Sequence, residues 1–211
     1  TCNCPFCASR HKRRTLKHRI EGLERRRFKP GEAYTLDFTA MVEVESIDGN
    51  RVGVWRLAAL FEKLEFPVSL LVNTAIYDYC PEVIKRFRDR GDEIVAHGRT
   101  NSETQDGLSE KDEFELIAET TERITEEEGR PPEGWLGPWI SETMKTPDIL
   151  QENGYKYLLD WCHDDQPTWM KTYGGEILSV PYPQELNDIP SIMVRKNSAE
   201  QLELCGSSTT V

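Results

Sequence analysis

In "GDEIVAHGRTNSE", residues 91–103, the apolar residues Ile94, Val95 and Ala96 deliver His97 straight into Gly98. An imidazole at a strand end can move protons near neutral pH or ligate a metal. Two further stretches carry comparable chemistry. In "GWLGPWIS", Trp135 and Trp139 flank Gly137 and Pro138. In "LLDWCHDDQPTW", an apolar run ends on Asp160 and Trp161, followed by His163, Asp164, Asp165 and Trp169. Burying titratable groups is costly unless they are paired, hydrated or used. Rigid indole walls with a few polar groups suit a small, flat or ring-shaped substrate, and carboxylates accept from its N–H groups. Each residue alone is as well explained by an ordinary core tryptophan or a satisfied aspartate. Three such clusters at strand ends together favour a site.

The elements that must position them follow from periodicity. Residues 33–45 read as a strand, 51–66 as a helix, 67–73 as a buried strand and 80–91 as a helix with Pro81 near its start and Gly91 past its end. The "EIVAH" strand comes next. Ser109 with Asp112 three residues on is a capping signal for an acidic helix to about Glu128. Residues 130–141 form a rigid loop or short strand, and 146–154 a short helix with Thr146 as cap and Pro147 first. Residues 155–161, 176–182 and 190–194 read as strands. Alternating strands and helices give a parallel α/β sheet or barrel, in which chemistry gathers at the carboxyl ends of strands.

Charge separates the chain into parts. Net charge is −11, yet residues 1–30 hold ten Lys/Arg against two acids, and residues 31–211 sixteen against thirty-five. The acidic body repels nucleic acid and anionic membrane. The basic head, with Cys4, Cys7 and His11 spaced as half a zinc site, reads as an appended arm. The expected organisation is an arm (1–32), one domain (33–204) and a tail (205–211). Six cysteines, with Cys2, Cys4 and Cys7 crowded in the head and Cys80, Cys162 and Cys205 scattered, do not make a disulfide scaffold. With no apolar run near the ~20 residues of a membrane span and a polar opening, a soluble cytoplasmic protein is the expectation.

From about Asn50 to Leu204 the chain resembles the polysaccharide deacetylase (NodB-homology) family, and within it the allantoinase-type branch. The carrying stretches are "GNRVGVWRL", "FPVSLLVN", "PEVIKRFRDRGDEIVAHGRTNSE", "PPEGWLGPWISETMKTPDILQENGYKYLLDWCHDDQPTW" and "ILSVPYPQELNDI". The resemblance implies a distorted (β/α) barrel, here incomplete at both ends, and hydrolysis of a non-peptide C–N bond in an N-acetyl amide or a cyclic amide or ureide such as allantoin. Metal-dependent members hold a zinc-like ion with an Asp and an H-x-x-x-H pair and use a second Asp as base. Carried over by position, His97 matches the first histidine, Asn101 replaces the second, Asp37 takes the base position and Phe38 replaces the metal-binding Asp. One ligand of three remains, so no tightly bound metal is expected; zinc is the ion in question should the His97 position retain one. Asp160-Trp161 matches the D-W strand end whose Asp tunes a late catalytic histidine, and His163 alone follows as a candidate.

The resulting catalytic candidates are His97, Asp160 and Asp37, with Asn101, Glu103, Trp135, Trp139, Trp161, His163, Asp164 and Asp165 contacting a small-molecule or sugar amide. The resemblance leaves a homo-oligomer open. Two other readings stand beside the enzyme: a degenerate paralogue that binds or regulates, and, less favoured, nucleic-acid binding through the basic arm.

Overall fold

A computed structural model describes residues 52–163, 166–183, 187, 189–198 and 201. The 33–45 strand, Asp37, the Cys4/Cys7/His11 group, Asp164 and Asp165 lie outside the described residues.

Residues Val52–Tyr182 make up one compact unit. In it α1 (Val52–Lys63) leads to β1 (Ser69–Val72), and α2 (Ile76–Tyr79) and α3 (Pro81–Arg90) lead to β2 (Glu93–Ala96). The long α4 (Glu110–Glu128) precedes β3 (Gly134–Trp135) and a 3-10 turn at Pro138–Ile140. Then come α5 (Thr146–Glu152), β4 (Tyr157–Leu158), β5 (Thr168–Lys171) and β6 (Glu176–Ser179). The sheet order is β1-β2-β3-β4-β6-β5, parallel throughout except for the antiparallel β5–β6 edge. The expected α/β architecture with a parallel sheet therefore stands, and among the described residues the sheet does not close.

Parallel strands covered on both faces need continuous apolar runs. Leu70–Val72 and Ile94–Ala96 supply them and are buried. Helix α3 turns Val83, Ile84 and Phe87 inward, begins on Pro81 and ends at Gly91. Arg90 then ties three segments together. Its guanidinium donates to the carbonyls of Ala58 (2.8 Å) and Phe66 (2.9 Å) and pairs with Asp92 (2.8 Å). Helix α4 starts as the capping signal predicts. Asp112 N donates to Ser109 Oγ at 3.2 Å, and Ser109 Oγ donates to Asp112 Oδ2 at 2.7 Å. No helix among the described residues is long and apolar enough to cross a membrane.

Three expectations need correction. Thr146 does not cap α5: the helix begins on it, with Lys145 before it. The Thr146 hydroxyl instead donates to Glu113 and accepts from Thr143 N at 2.8 Å. Residues Thr168–Lys171, not read as a strand, pair with β6 in a hairpin; a half-exposed edge strand has no continuous apolar run to betray it. Residues 190–194, read as a strand, lie in a π-helical turn, Ile189–Val194, closed by Arg195 N donating to Pro190 O at 2.9 Å. A short apolar run does not separate strand from helix by periodicity, and this turn belongs to the part of the chain beyond Tyr182.

Candidate active site

The parallel ladder brings His97 and Asp160 to one end of the sheet. His97 N donates to Val72 O (3.0 Å), Leu136 N to Ala96 O (3.0 Å), Leu159 N to Trp135 O (2.9 Å) and Val180 N to Leu158 O (2.9 Å). His97, Leu136–Gly137 and Asp160 thus stand just past the carboxyl ends of β2, β3 and β4. Gly98 lets the chain turn there. Its φ of +69° disfavours a side chain, and a Cβ would meet Pro138 Cγ at 3.0 Å.

His97 is 2% exposed. Its Nδ1 lies 2.6 Å from the carbonyl oxygen of Leu136. A carbonyl only accepts, so Nδ1 carries the proton and Nε2 carries the ring's lone pair. Asp160 is 6% exposed, and its Oδ1 accepts from Gly137 N at 2.6 Å. Burial pushes the Asp160 carboxyl well above the usual range; the Gly137 N–H opposes this, and nearby Glu142 reinforces it. Asp160 Oδ2, Glu142 Oε2, Asn101 Oδ1 and Trp161 Nε1 are buried atoms with no hydrogen-bond partner among the described residues. They belong to the loops that follow β2, β3 and β4.

Gly137 sits where these groups meet. A Cβ there would lie 2.2 Å from Ser141 O, 2.6 Å from Gln105 Oε1 and 2.9 Å from Asp160 Oδ1. Gly137→Ala must therefore displace backbone. The expected outcome is a loss of roughly 1–3 kcal/mol, read as a lower urea midpoint.

The other predicted residues spread around this centre. Trp139 is 66% exposed, and its Nε1 donates to the Asn101 carbonyl at 2.7 Å, linking the loops after β2 and β3. Its φ of +61° and that of Ile140, +56°, are left-handed values that side chains seldom adopt. Trp161 follows Asp160, with the exposed His163 ring 5.3 Å from its own. Glu103 holds Arg99 in a two-pronged ion pair, Nε to Oε2 at 2.9 Å and Nη2 to Oε1. Trp135 is not brought to the rim. It is fully buried, edge-on to Tyr155 at 5.6 Å, with Nε1 donating to Gln105 Oε1 at 3.2 Å.

Sequence reasoning missed a buried polar layer beneath the loops. Glu113 has no exposed surface and accepts from Gln105 Nε2 (2.9 Å), Thr143 Oγ1 (2.6 Å) and Thr146 Oγ1. Its signal was present: Glu113 falls in phase with Leu116, Ile117, Thr120 and Ile124 on the buried face of α4. Glu142 was missed as well. Burial, then the charge of Glu113, raises it from its ordinary 4.5 to about 7. The folded value exceeds the unfolded one, so the folded protein binds the extra proton between those pH values. Stability from this group is present at low pH and lost as pH rises through about 7. Asp160 shifts in the same direction. Glu142→Gln is expected to flatten the fall in urea midpoint between about pH 5 and 8; an unchanged slope would contradict this.

A metal is implied by the resemblance, and the donor set can be tested for it. His97 is anchored through Nδ1 as ligating imidazoles are. Among the described residues, however, no three His, Cys, Asp or Glu side chains are grouped to hold an ion.

No family model matches the chain. A peptidoglycan deacetylase of Helicobacter pylori is 26% identical over 155 residues, 74% of this chain and 53% of that protein. Among solved structures, Puue allantoinase aligns with a TM-score of 0.63 at 28% identity, over 70% of this chain and 49% of the other. A probable polysaccharide deacetylase from Pseudomonas aeruginosa aligns with a TM-score of 0.61 at 28% identity, over 74% and 56%. The chain spans about half the length of these relatives. The chain is thus similar, in sequence and in fold, to members of the polysaccharide deacetylase family, and it holds an imidazole and an aspartate past the carboxyl ends of the two strands that flank β3.

Proposed function

We propose that the protein hydrolyses a non-peptide C–N bond, in an N-acetylated amino sugar or a cyclic amide or ureide such as allantoin. The observation that carries this reading is that one peptide group past β3 holds both His97 and Asp160. His97, with its lone pair on Nε2, takes a proton from the attacking water or returns one to the leaving nitrogen. Asp160 supports it, and Asp37 is the general base by resemblance. Trp139 and Trp161 wall the substrate, while Glu103 fixes Arg99 beside the His97 loop. Trp135 supports the site from the core. Asn101 Oδ1 and, once ionised, Asp160 Oδ2 and Glu142 Oε2 supply acceptors beside the donor Trp161 Nε1. That balance suits a substrate rich in N–H groups. His163 follows Trp161 and is exposed, and Asp164 and Asp165 are proposed as further acceptors by residue type alone.

A second reading, a binding or regulatory protein on this scaffold, is favoured by Asn101 at the second histidine position. The deciding experiment incubates the chain with N-acetylglucosamine oligomers and with allantoin, with and without zinc. Acetate release or ring opening is expected. Saturable binding without product would replace the enzyme by the binding protein.

A further inference from the structure

We propose that Asp160 is a positioning residue that acts on His97 through the Leu136–Gly137 peptide group. The inference rests on the reading of His97 as the proton-handling group and adds to it how that ring is held and tuned. The carbonyl that receives His97 Nδ1–H and the N–H that donates to Asp160 Oδ1 belong to the same amide, and each contact is 2.6 Å. The two side chains never need to touch.

An amide is a conductor of polarisation because its C–N bond has partial double-bond character. Once Asp160 is ionised, its carboxylate drawing on the N–H pushes electron density toward the carbonyl oxygen. That oxygen then accepts more strongly from Nδ1–H, and the imidazole gains density at Nε2. Hydrogen bonds in such a chain strengthen one another by an estimated ~10–30% each in a low-dielectric interior. Both end groups are buried, so water does not screen the effect.

The surroundings hold this peptide rigidly. Ile140 N donates to Gly137 O (2.8 Å), Ser141 N to Pro138 O (3.1 Å) and Gln105 N to Ser141 Oγ (2.9 Å). The absence of a Cβ at Gly137 is what allows Asp160 Oδ1 to approach, since a Cβ would stand 2.9 Å from it. The left-handed backbone at Trp139 and Ile140 bends the chain immediately after the bridging amide. A simple loop anchor would explain the Gly137–Asp160 contact alone. It would not explain why the carbonyl of the same amide is spent on a buried imidazole.

The test is side-chain nitrogen NMR of histidine-labelled protein, comparing the full chain with Asp160→Asn. Asparagine keeps the shape and an acceptor for Gly137 N–H but removes the ionisable carboxyl, so the spectra are compared across a pH series that takes Asp160 to its ionised form. The expected result is that the His97 Nδ1–H proton moves upfield while backbone amides away from the three loops stay in place. An unmoved His97 resonance would overturn the proposal and leave Asp160 as a loop anchor. Should the variant not fold, the unaltered protein still decides. His97 must be the Nδ1–H tautomer, and His97→Gln must move the Gly137 amide proton; an Nε2–H tautomer or an unmoved Gly137 amide overturns the proposal. Neither readout needs turnover, so a coupled pair in a protein that hydrolyses nothing would remove the hydrolase reading and leave the bridge intact.

Discussion

His97→Gln is expected to lower turnover by roughly 10²–10⁴-fold, the usual worth of a positioned general acid or base. Glutamine can still donate to the Leu136 carbonyl that now receives Nδ1 at 2.6 Å. It cannot take up and return a proton near neutral pH. The loss should fall on kcat, as expected of a general acid or base that acts on the transition state more than on substrate binding. The urea midpoint should change much less, since the variant preserves the bond to the peptide. Steady-state kinetics and denaturation on the same preparations check both halves. An equal loss of activity and stability would mean that His97 is a structural residue of the loop.

Trp135→Ala is expected to cost about 3–5 kcal/mol, the range for deleting a fully buried large aromatic. The ring has no exposed surface, packs edge-on against Tyr155 and satisfies Gln105 Oε1. Removing it leaves a cavity and strips one partner from Gln105, which in turn serves the buried Glu113. Urea denaturation measures the loss. Trp139→Ala gives the contrast. That ring is 66% exposed, and its Nε1 donates to the Asn101 carbonyl. Its removal should leave the midpoint nearly unchanged and raise KM if the indole walls the substrate.

These two tryptophans mark the boundary of what the sequence discloses. Both flank Gly137 and Pro138, and both resemble pocket walls when read as residue types. The two-residue pairing of β3 with β4 turns one into the core, while the left-handed turn that follows sends the other outward. Neither event has a periodic signature. By contrast, the ends of α3 and α4 were legible because Pro81, Gly91 and Ser109 each act locally on the backbone. The α/β order was legible because buried parallel strands must be continuously apolar. His97 and Asp160 could be singled out as titratable groups ending apolar runs. That a shared peptide joins them could not, because the bond partner of each is a backbone atom that any residue type supplies. Glu113 lay in plain phase on the apolar face of α4. Its partners Gln105, Thr143 and Thr146 come from outside that helix and have no pattern in common.

The central claim is that His97 and Asp160 serve one reaction as a unit. A double-mutant cycle on hydrolysis, comparing His97→Gln, Asp160→Asn and the two combined, tests it most directly. Groups that act together are expected to show strong non-additivity, with the double variant scarcely slower than the slower single one. Losses that multiply independently would contradict the account.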